Sequence, residues 1–553
     1  MGRGKILAAV VALAMLVLAA AAGKWVRQEG VTELSYQDFF PQHSPQQGSK
    51  KPLRMGMLQM PQTLDPARIS DRTGRVLGAN IYEGLVGLNP DDLTPVPALA
   101  KSWEISRDGK VYTFSLQRGV KFTSGRELTA EEVKRSWERV LDPSLNSDLT
   151  YLMLPIKGAR ERIEGRAAAV EGIEAAGKYK LRVVLEQPNA GFLSRLAMPP
   201  FWVLDVEAAK EYGNKFGGPG TVSAGTGPFL LQEWKGQKIY LAAHAAYWST
   251  PPRLQGAVCT FFADGETALK AFRAGELDYL DEVPLDKLEG LKKDPGLAPM
   301  LRSYGLLDSY FYQFNLQNPL WGASPALRQA VNLALDKEAL AAKLFGDSAV
   351  PLAGLVPVSL QGYRSSAHPY GYDKEKAKQL LAAAGYPGGQ GLPALEIAFN
   401  DLPAHQAVAE AVKEQLKEAG IKALLRPVPW EEYKKALAEG KYACFRGGWS
   451  WDYPDPDDLF FYNFHSSQLA ATNYCFYSKP AVDSLLAAAR TETSRAEKRM
   501  EYYREAEKII TEDAPLVWLF AWRRVVLASP LVEGLRVNAL DIVQLKDAAI
   551  KET

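Results

Sequence analysis

Residues 111–143 read VYTFSLQRGVKFTSGRELTAEEVKRSWERVLDP. The first six alternate, with Tyr112, Phe114 and Leu116 on one side, which is the period-two pattern of a half-buried strand. Gly119-Val120-Lys121-Phe122 reads as part of a hairpin, its glycine in the left-handed region that other residues avoid. A helix is predicted at about 130–141. Thr129 can cap it and Glu132 stands three positions on, the spacing of a capping box. Asp142-Pro143 ends it, because the residue before a proline is driven out of the helical region. A strand, a hairpin and a helix in one short stretch make this an α/β chain.

The same reading extends outward. Residues 179–185, 229–234 and 238–241 are predicted strands, and 515–527 a buried one. Helices are predicted near 325–341, 373–384 and 404–419, with Gly385 and Gly420 placed as C-terminal caps. Ser494 with Glu497 is predicted to open a capped helix reaching about Glu512. Strands and helices do not alternate strictly, so several mixed sheets flanked by helices are expected rather than one barrel.

The chain has 553 residues, 47% of them apolar, and more than one domain is expected above roughly 250–300 residues. The charges balance to +1, which leaves no basic footprint for nucleic acid. Aromatic residues make up 10%; rings beyond the needs of a core often line a binding surface. The cysteines Cys259, Cys444 and Cys475 form no CxxC pair, so no zinc cluster or disulfide framework is expected; a bridge from Cys444 to Cys475 stays open. No HExxH, phosphate-binding Gly-Lys-Ser/Thr loop or GxSxG elbow is present. The five histidines read as surface or structural residues, and no metal or cofactor is expected.

At the N-terminus, Arg3 and Lys5 precede an uncharged apolar run over 6–22 that ends in Ala20-Ala21-Ala22. That is the pattern of a secretory signal, and the run is also just long enough to act as a membrane anchor. No cysteine lies near its exit for lipid attachment. Either outcome puts the bulk of the chain outside the cytoplasm. Residues 23–51 read as a flexible linker.

Short motifs then occur in a fixed order: Pro61-Gln62-Thr63-Leu64-Asp65-Pro66; Tyr82-Glu83-Gly84-Leu85-Val86; Pro97-Ala98-Leu99-Ala100-Lys101-Ser102-Trp103; Gly119-Val120-Lys121-Phe122; Gly225-Thr226-Gly227-Pro228-Phe229; Ala271-Phe272-Arg273-Ala274-Gly275-Glu276-Leu277-Asp278; Arg328-Gln329-Ala330-Val331-Asn332. In this series the chain resembles the bacterial extracellular solute-binding proteins that include the oligopeptide- and dipeptide-binding proteins. His244-Ala245-Ala246 departs from the Asn-Pro that usually precedes Tyr-Trp there. The resemblance implies a two-lobed periplasmic-binding-protein clamp of class II with an additional domain. Lobe I would comprise 52–82, 195–303 and 515–553, the extra domain 83–194, and lobe II 304–514. It implies capture of a peptide between the lobes and delivery to the transmembrane permease of an ABC transporter whose ATPase subunits are separate. The protein would be a monomer, exported to the periplasm or cell surface.

Residues 446–464, RGGWSWDYPDPDDLFFYNF, are where a ligand is expected. Gly447 and Gly448 would let backbone approach a ligand. Trp449, Trp451 and Tyr453 share a face if extended, with Asp452 pointing the other way. An aspartate among rings is costly unless a cation pairs with it. In peptide-binding relatives the aspartate of Gly-Trp-x-x-Asp receives the peptide's α-ammonium, and Asp452 stands there. Arg446 is placed to meet a peptide carboxylate, or else makes a structural ion pair. Asn315 is a weaker backbone contact. Asp455, Asp457 and Asp458 are expected to cap and solvate the next turn. A nickel chelate or a sugar is the alternative cargo. A hydrolase is the competing class, and it lacks a nucleophile or metal motif.

Overall fold

The computed structural model describes residues 51–360, 362–365 and 370–551. The expected signal or anchor, and the linker up to residue 50, lie outside them. Among the described residues no helix is long and apolar enough to cross a membrane.

The main sheet is mixed. Its order is Ala423–Val428, Leu395–Asn400, Cys444–Ser450, Leu301–Phe314, Leu516–Ala528, Tyr279–Leu280, Leu53–Met57, Gly256–Phe261, Lys238–Ala243 and Phe229–Lys235, with Ala349–Pro351 paired to Leu516–Ala528 off this path. Leu301–Phe314 and Leu516–Ala528 are its longest strands, 14 and 13 residues. They run antiparallel, and their register breaks between Gly305 and Ser309. On one side of the break Leu527 and Ala528 pair with Tyr279–Leu280, and on the other Asp308–Phe314 pairs with Cys444–Ser450. These two strands therefore join two halves of one sheet, each half backed by its own core: Met55, Leu77 and Ile239 in one, Ile397, Val412 and Leu519 in the other. A second sheet, Ala100–Ile105, Val111–Leu116, Lys180–Val184 and Ile173–Ala175, is antiparallel throughout. Its apolar face, with Tyr112 and Phe114, belongs to a core that also takes in Trp137 of the helix Ala130–Val140 and Trp451, Tyr453 and Phe460.

Most local expectations hold, and their physical reasons are visible. Val111–Leu116 buries Tyr112, Phe114 and Leu116. Gly119 has φ +74°. The helix Ala130–Val140 starts at Thr129, whose hydroxyl accepts the Glu132 N–H at 3.4 Å. The return half of the capping box is replaced, because Arg126 (2.8 Å) and Arg135 draw the Glu132 carboxylate away. Gly385 and Gly420 end their helices at φ +93° and +92°, with Tyr386 and Ile421 donating back to Leu381 and Leu416 at 2.8 and 2.9 Å, the αL closure of a helix C-terminus.

Three expectations are corrected. The helix read over 325–341 is two, Pro325–Leu333 and Lys337–Phe345, because Asp336 turns out of the helix and caps the second at Ala339, 2.9 Å. Ser494 does not cap the helix Ala496–Asp513. Glu492 takes the Ser494 hydroxyl at 2.7 Å and the Arg495 guanidinium besides. Cys444 and Cys475 form no bridge. All three cysteines are buried free thiols, and these two sit in different cores.

The scattered motifs meet in space. Glu83 accepts from Thr226 (2.8 Å), Tyr247 (2.5 Å) and Trp248 (2.8 Å). Burial raises its carboxyl and those three donors oppose it. Gly225 and Gly227 have no room for a side chain, since a Cβ would stand 2.2 and 2.5 Å from the Ile81 carbonyl oxygen. Arg328 spends its donors on the carbonyls of Trp321, Gly322, Asp513 and Ala514. The order of the motifs is thus a record of fold, with buried polar groups satisfied across long sequence separations.

Candidate functional site

The strand Cys444–Ser450 places the site. Its inner neighbour is Leu301–Phe314, with Tyr310 opposite Gly448 and Asp308 opposite Ser450. On its other side Leu395–Asn400 pairs only at Cys444 and Phe445. Beyond Phe445 that edge carries no strand among the described residues. Gly448 is required by the sheet itself: a Cβ there would meet the Ser309 carbonyl oxygen at 2.8 Å, and one at Gly447 the Phe311 ring at 2.6 Å.

The strand ends at Ser450, and this changes the period-two expectation. The Trp451 N–H turns to the Leu307 carbonyl, 3.1 Å. Trp451 and Tyr453 are buried in the core, at 2% and 0% exposure. Tyr453 donates to Asp457 at 2.8 Å and accepts from Arg195, whose guanidinium lies over its ring at 4.2 Å. Of the three rings, Trp449 lines the cavity described below. The helix Pro456–Phe464 follows, capped by Asp455, which accepts the Asp457 N–H at 2.9 Å and is held by Arg499. Asp457 and Asp458 do not solvate this turn, contrary to expectation. Both are buried, Asp457 because Arg195 and Arg490 pair with it, Asp458 because it receives the Trp449 indole N–H (2.8 Å) and the Asp452 backbone N–H (3.0 Å).

A cavity of about 790 Å³ lies between residues 151–195 and 449–491. Tyr151, Asn189, Arg195 and Arg160 line one side, and Trp449, Asp452, Tyr462 and Arg490 the other. The Trp449 and Tyr462 rings stack at 6.2 Å, and Tyr151 meets Tyr462 edge-on at 6.4 Å. Asp452 is half-buried in this aromatic wall and takes part in no ion pair among the described residues. Burial pushes its carboxyl above the usual range, against the Tyr151 hydroxyl that donates to it and the charges of Arg75 and Arg195. Asp458 is pushed well up by its burial and by the Asp452 charge. Asp457, equally buried, goes the other way, because Arg490, Arg195 and Arg499 outweigh the desolvation. One buried carboxylate is therefore neutralised by arginines, while the adjoining pair has no ion-pair partner among the described residues and only more distant arginine charges. That pair favours a proton or a cationic ligand.

Of the expected site residues the structure brings Asp452 and Trp449 to the cavity. Trp451 and Tyr453 lie beneath it. Arg446 is elsewhere, stacked over the Tyr310 ring at 4.9 Å with its Nε unpartnered. Asn315 is spent locally, donating to Gly440 and accepting from Gln317 at 2.8 and 2.9 Å. Tyr151, Arg195 and Arg490 were not legible as site residues, and Tyr462 was one ring among several in 446–464. Arg195 joins Asp457 across 262 positions, and no local pattern announces such a contact.

Comparison with known proteins agrees with this architecture. Residues 94–471 match the model of the bacterial extracellular solute-binding proteins, family 5. The chain is 29% identical to a di/tripeptide-binding protein 2 of Pseudomonas aeruginosa over 86% of its own length and 90% of that protein's. It is 31% identical to heme-binding protein A of Haemophilus influenzae, over 86% and 88%. Among solved structures it is similar to the periplasmic binding protein DppA of Helicobacter pylori in complex with the peptide STSA, at 27% identity and a TM-score of 0.70 over 91% and 99% of the two chains. The family model matches more than half of the sequence, and the chain belongs to the bacterial extracellular solute-binding proteins of family 5.

Proposed function

We propose that this protein captures peptides outside the cytoplasm and hands them to an ABC permease, with Asp452 holding the peptide's α-ammonium. The observation that carries the reading is a half-buried carboxylate in an aromatic cavity, without an ion-pair partner and backed by the second buried carboxylate of Asp458. An ammonium supplies the charge this pair lacks. The unpaired edge of 446–450 supports the same reading, since an extended peptide can add to such an edge as a further strand. The peptide-binding relatives add support. Export by residues 1–22, closure of 52–82, 195–303 and 515–553 upon 304–514, and the absence of catalysis belong to this reading.

The test is a titration of short peptides into wild type and Asp452→Ala. The substitution should weaken binding by about 2–5 kcal/mol, since an ammonium would be left buried without its partner. N-acetylated peptides should lose affinity for wild type in the same measure, and the two losses should not add. A variant that melts like wild type and binds free and acetylated peptides as wild type does refutes the assignment. The haem-binding relative favours a second reading, a non-peptide cargo against the Trp449–Tyr462 wall. Native mass spectrometry after exposure to a peptide mixture separates them: retained intact peptides support the first reading, shortened ones a hydrolase, and none the second.

A further inference from the structure

The cavity holds more than the ammonium anchor. Arg195 lines it, is 1% exposed, and donates from one terminal nitrogen to Tyr453 and Asp457 and from the other to Tyr462 at 3.4 Å, yet its Nε has no partner. Arg490 lines it as well. Its Nε faces Asp457 at 3.0 Å and its guanidinium lies over the Phe461 ring at 3.5 Å, while its terminal nitrogens make no hydrogen bond among the described residues. Arg160, opposite, makes no side-chain hydrogen bond or ion pair there either. Asp452 and Glu186 are the acidic residues of the lining. Glu186 is exposed and accepts the Gly158 N–H. The aromatic wall of Trp449, Tyr462 and Phe461 runs continuously from Asp452 to Arg490.

A peptide whose α-ammonium sits on Asp452 has its first side chain one carbon away, facing this same space. Unspent guanidinium donors beside an aromatic floor suit a planar anion, and a guanidinium receives a carboxylate through two parallel bonds. We propose that the cavity is the side-chain pocket for the cargo's first residue, and that it selects an acidic one through Arg490 and Arg160, with Arg195 beneath. The proposal rests on the peptide reading above and adds a specificity to it.

The test compares Glu-Ala-Ala, Gln-Ala-Ala, Leu-Ala-Ala and Ala-Ala-Ala by titration calorimetry at one ionic strength. Glu-Ala-Ala should bind wild type about tenfold or more tighter than its neutral isostere Gln-Ala-Ala, as a charge-assisted pair is stronger than a neutral one. In Arg490→Gln the ratio of the two dissociation constants should fall to about threefold or less. Arg490 also pairs with buried Asp457, so Arg160→Gln, which removes an exposed side chain, gives a second ratio that should fall by at least about half. Equal binding of Glu-Ala-Ala and Gln-Ala-Ala to wild type overturns the proposal and leaves the peptide reading standing. So do ratios unchanged in both variants. Failure of all four peptides to bind overturns the peptide reading and the proposal with it.

Discussion

Asp458 has no exposed surface, and one of its two carboxylate oxygens has no hydrogen-bond partner. The other accepts from Trp449 and Asp452, so the residue holds the Asp452 backbone and the Trp449 ring in place. An asparagine could accept the same two bonds without the charge. Asp458 is raised far above its unfolded value near 3.8. Between those two values the folded protein holds a proton that the unfolded chain lacks, so stability falls as pH rises through that window. Asp458→Asn is therefore expected to raise the melting temperature at pH 8 by several degrees, equivalent to about 1–3 kcal/mol, and by much less at pH 4. A gain equal at both pH values, or a loss, would show that the pair is already compensated. Peptide affinity should drop in the same variant, because an ammonium that drives the proton off the pair on binding then meets one carboxylate instead of two; calorimetry reads this separately from melting.

At the scale of elements, the two long strands matter most. Leu301–Phe314 bulges between Gly305 and Ser309, where it passes from one half of the sheet to the other. Asp308 lies inside that break. Burial pushes its carboxyl up to about 7, against the Ser450 hydroxyl and the Arg446 charge. The sign follows directly. Above about pH 7 Asp308 is ionised in both folded and unfolded chains and the full cost of burial is present. As pH falls from 7 toward 3.8 the folded state gains the proton first, and stability rises by at most about 1.4 kcal/mol per pH unit from this residue. Asp308→Asn should flatten that part of the curve, with a higher melting temperature at pH 8 and little change near pH 4. Chemical denaturation at several pH values measures it. A slope unchanged by the substitution would mean that Asp308 is ionised throughout.

At the scale of the whole molecule, two sheet halves joined by two strands form a clamp that a ligand touching both sides can close. A ligand shifts that balance only by its differential affinity for the closed state. Small-angle scattering with and without saturating peptide should show a smaller radius of gyration on binding, once co-purified ligand has been removed. An unchanged radius in protein proven empty would refute closure.

Several features were settled by the sequence alone, because their causes are local. The alternation of Tyr112, Phe114 and Leu116 fixes a strand wherever it packs, Thr129 caps its helix through a bond three residues long, and Gly385 and Gly420 close theirs because other residues resist positive φ. The motif series revealed the family because several of its motifs satisfy a buried polar group, such as Glu83 or Arg328, in a way the fold imposes. The floor of the cavity was decided only by tertiary structure. Trp451 and Tyr453 share a period with Trp449, yet the chain leaves the sheet at Ser450 and buries them. Asp455, Asp457 and Asp458 look alike in sequence, and burial beside different neighbours makes one a cap, one the partner of Arg195 and Arg490, and one an uncompensated carboxylate. Electrostatics depends on which charges meet across space and on how much water remains between them, and neither is written in the order of residues.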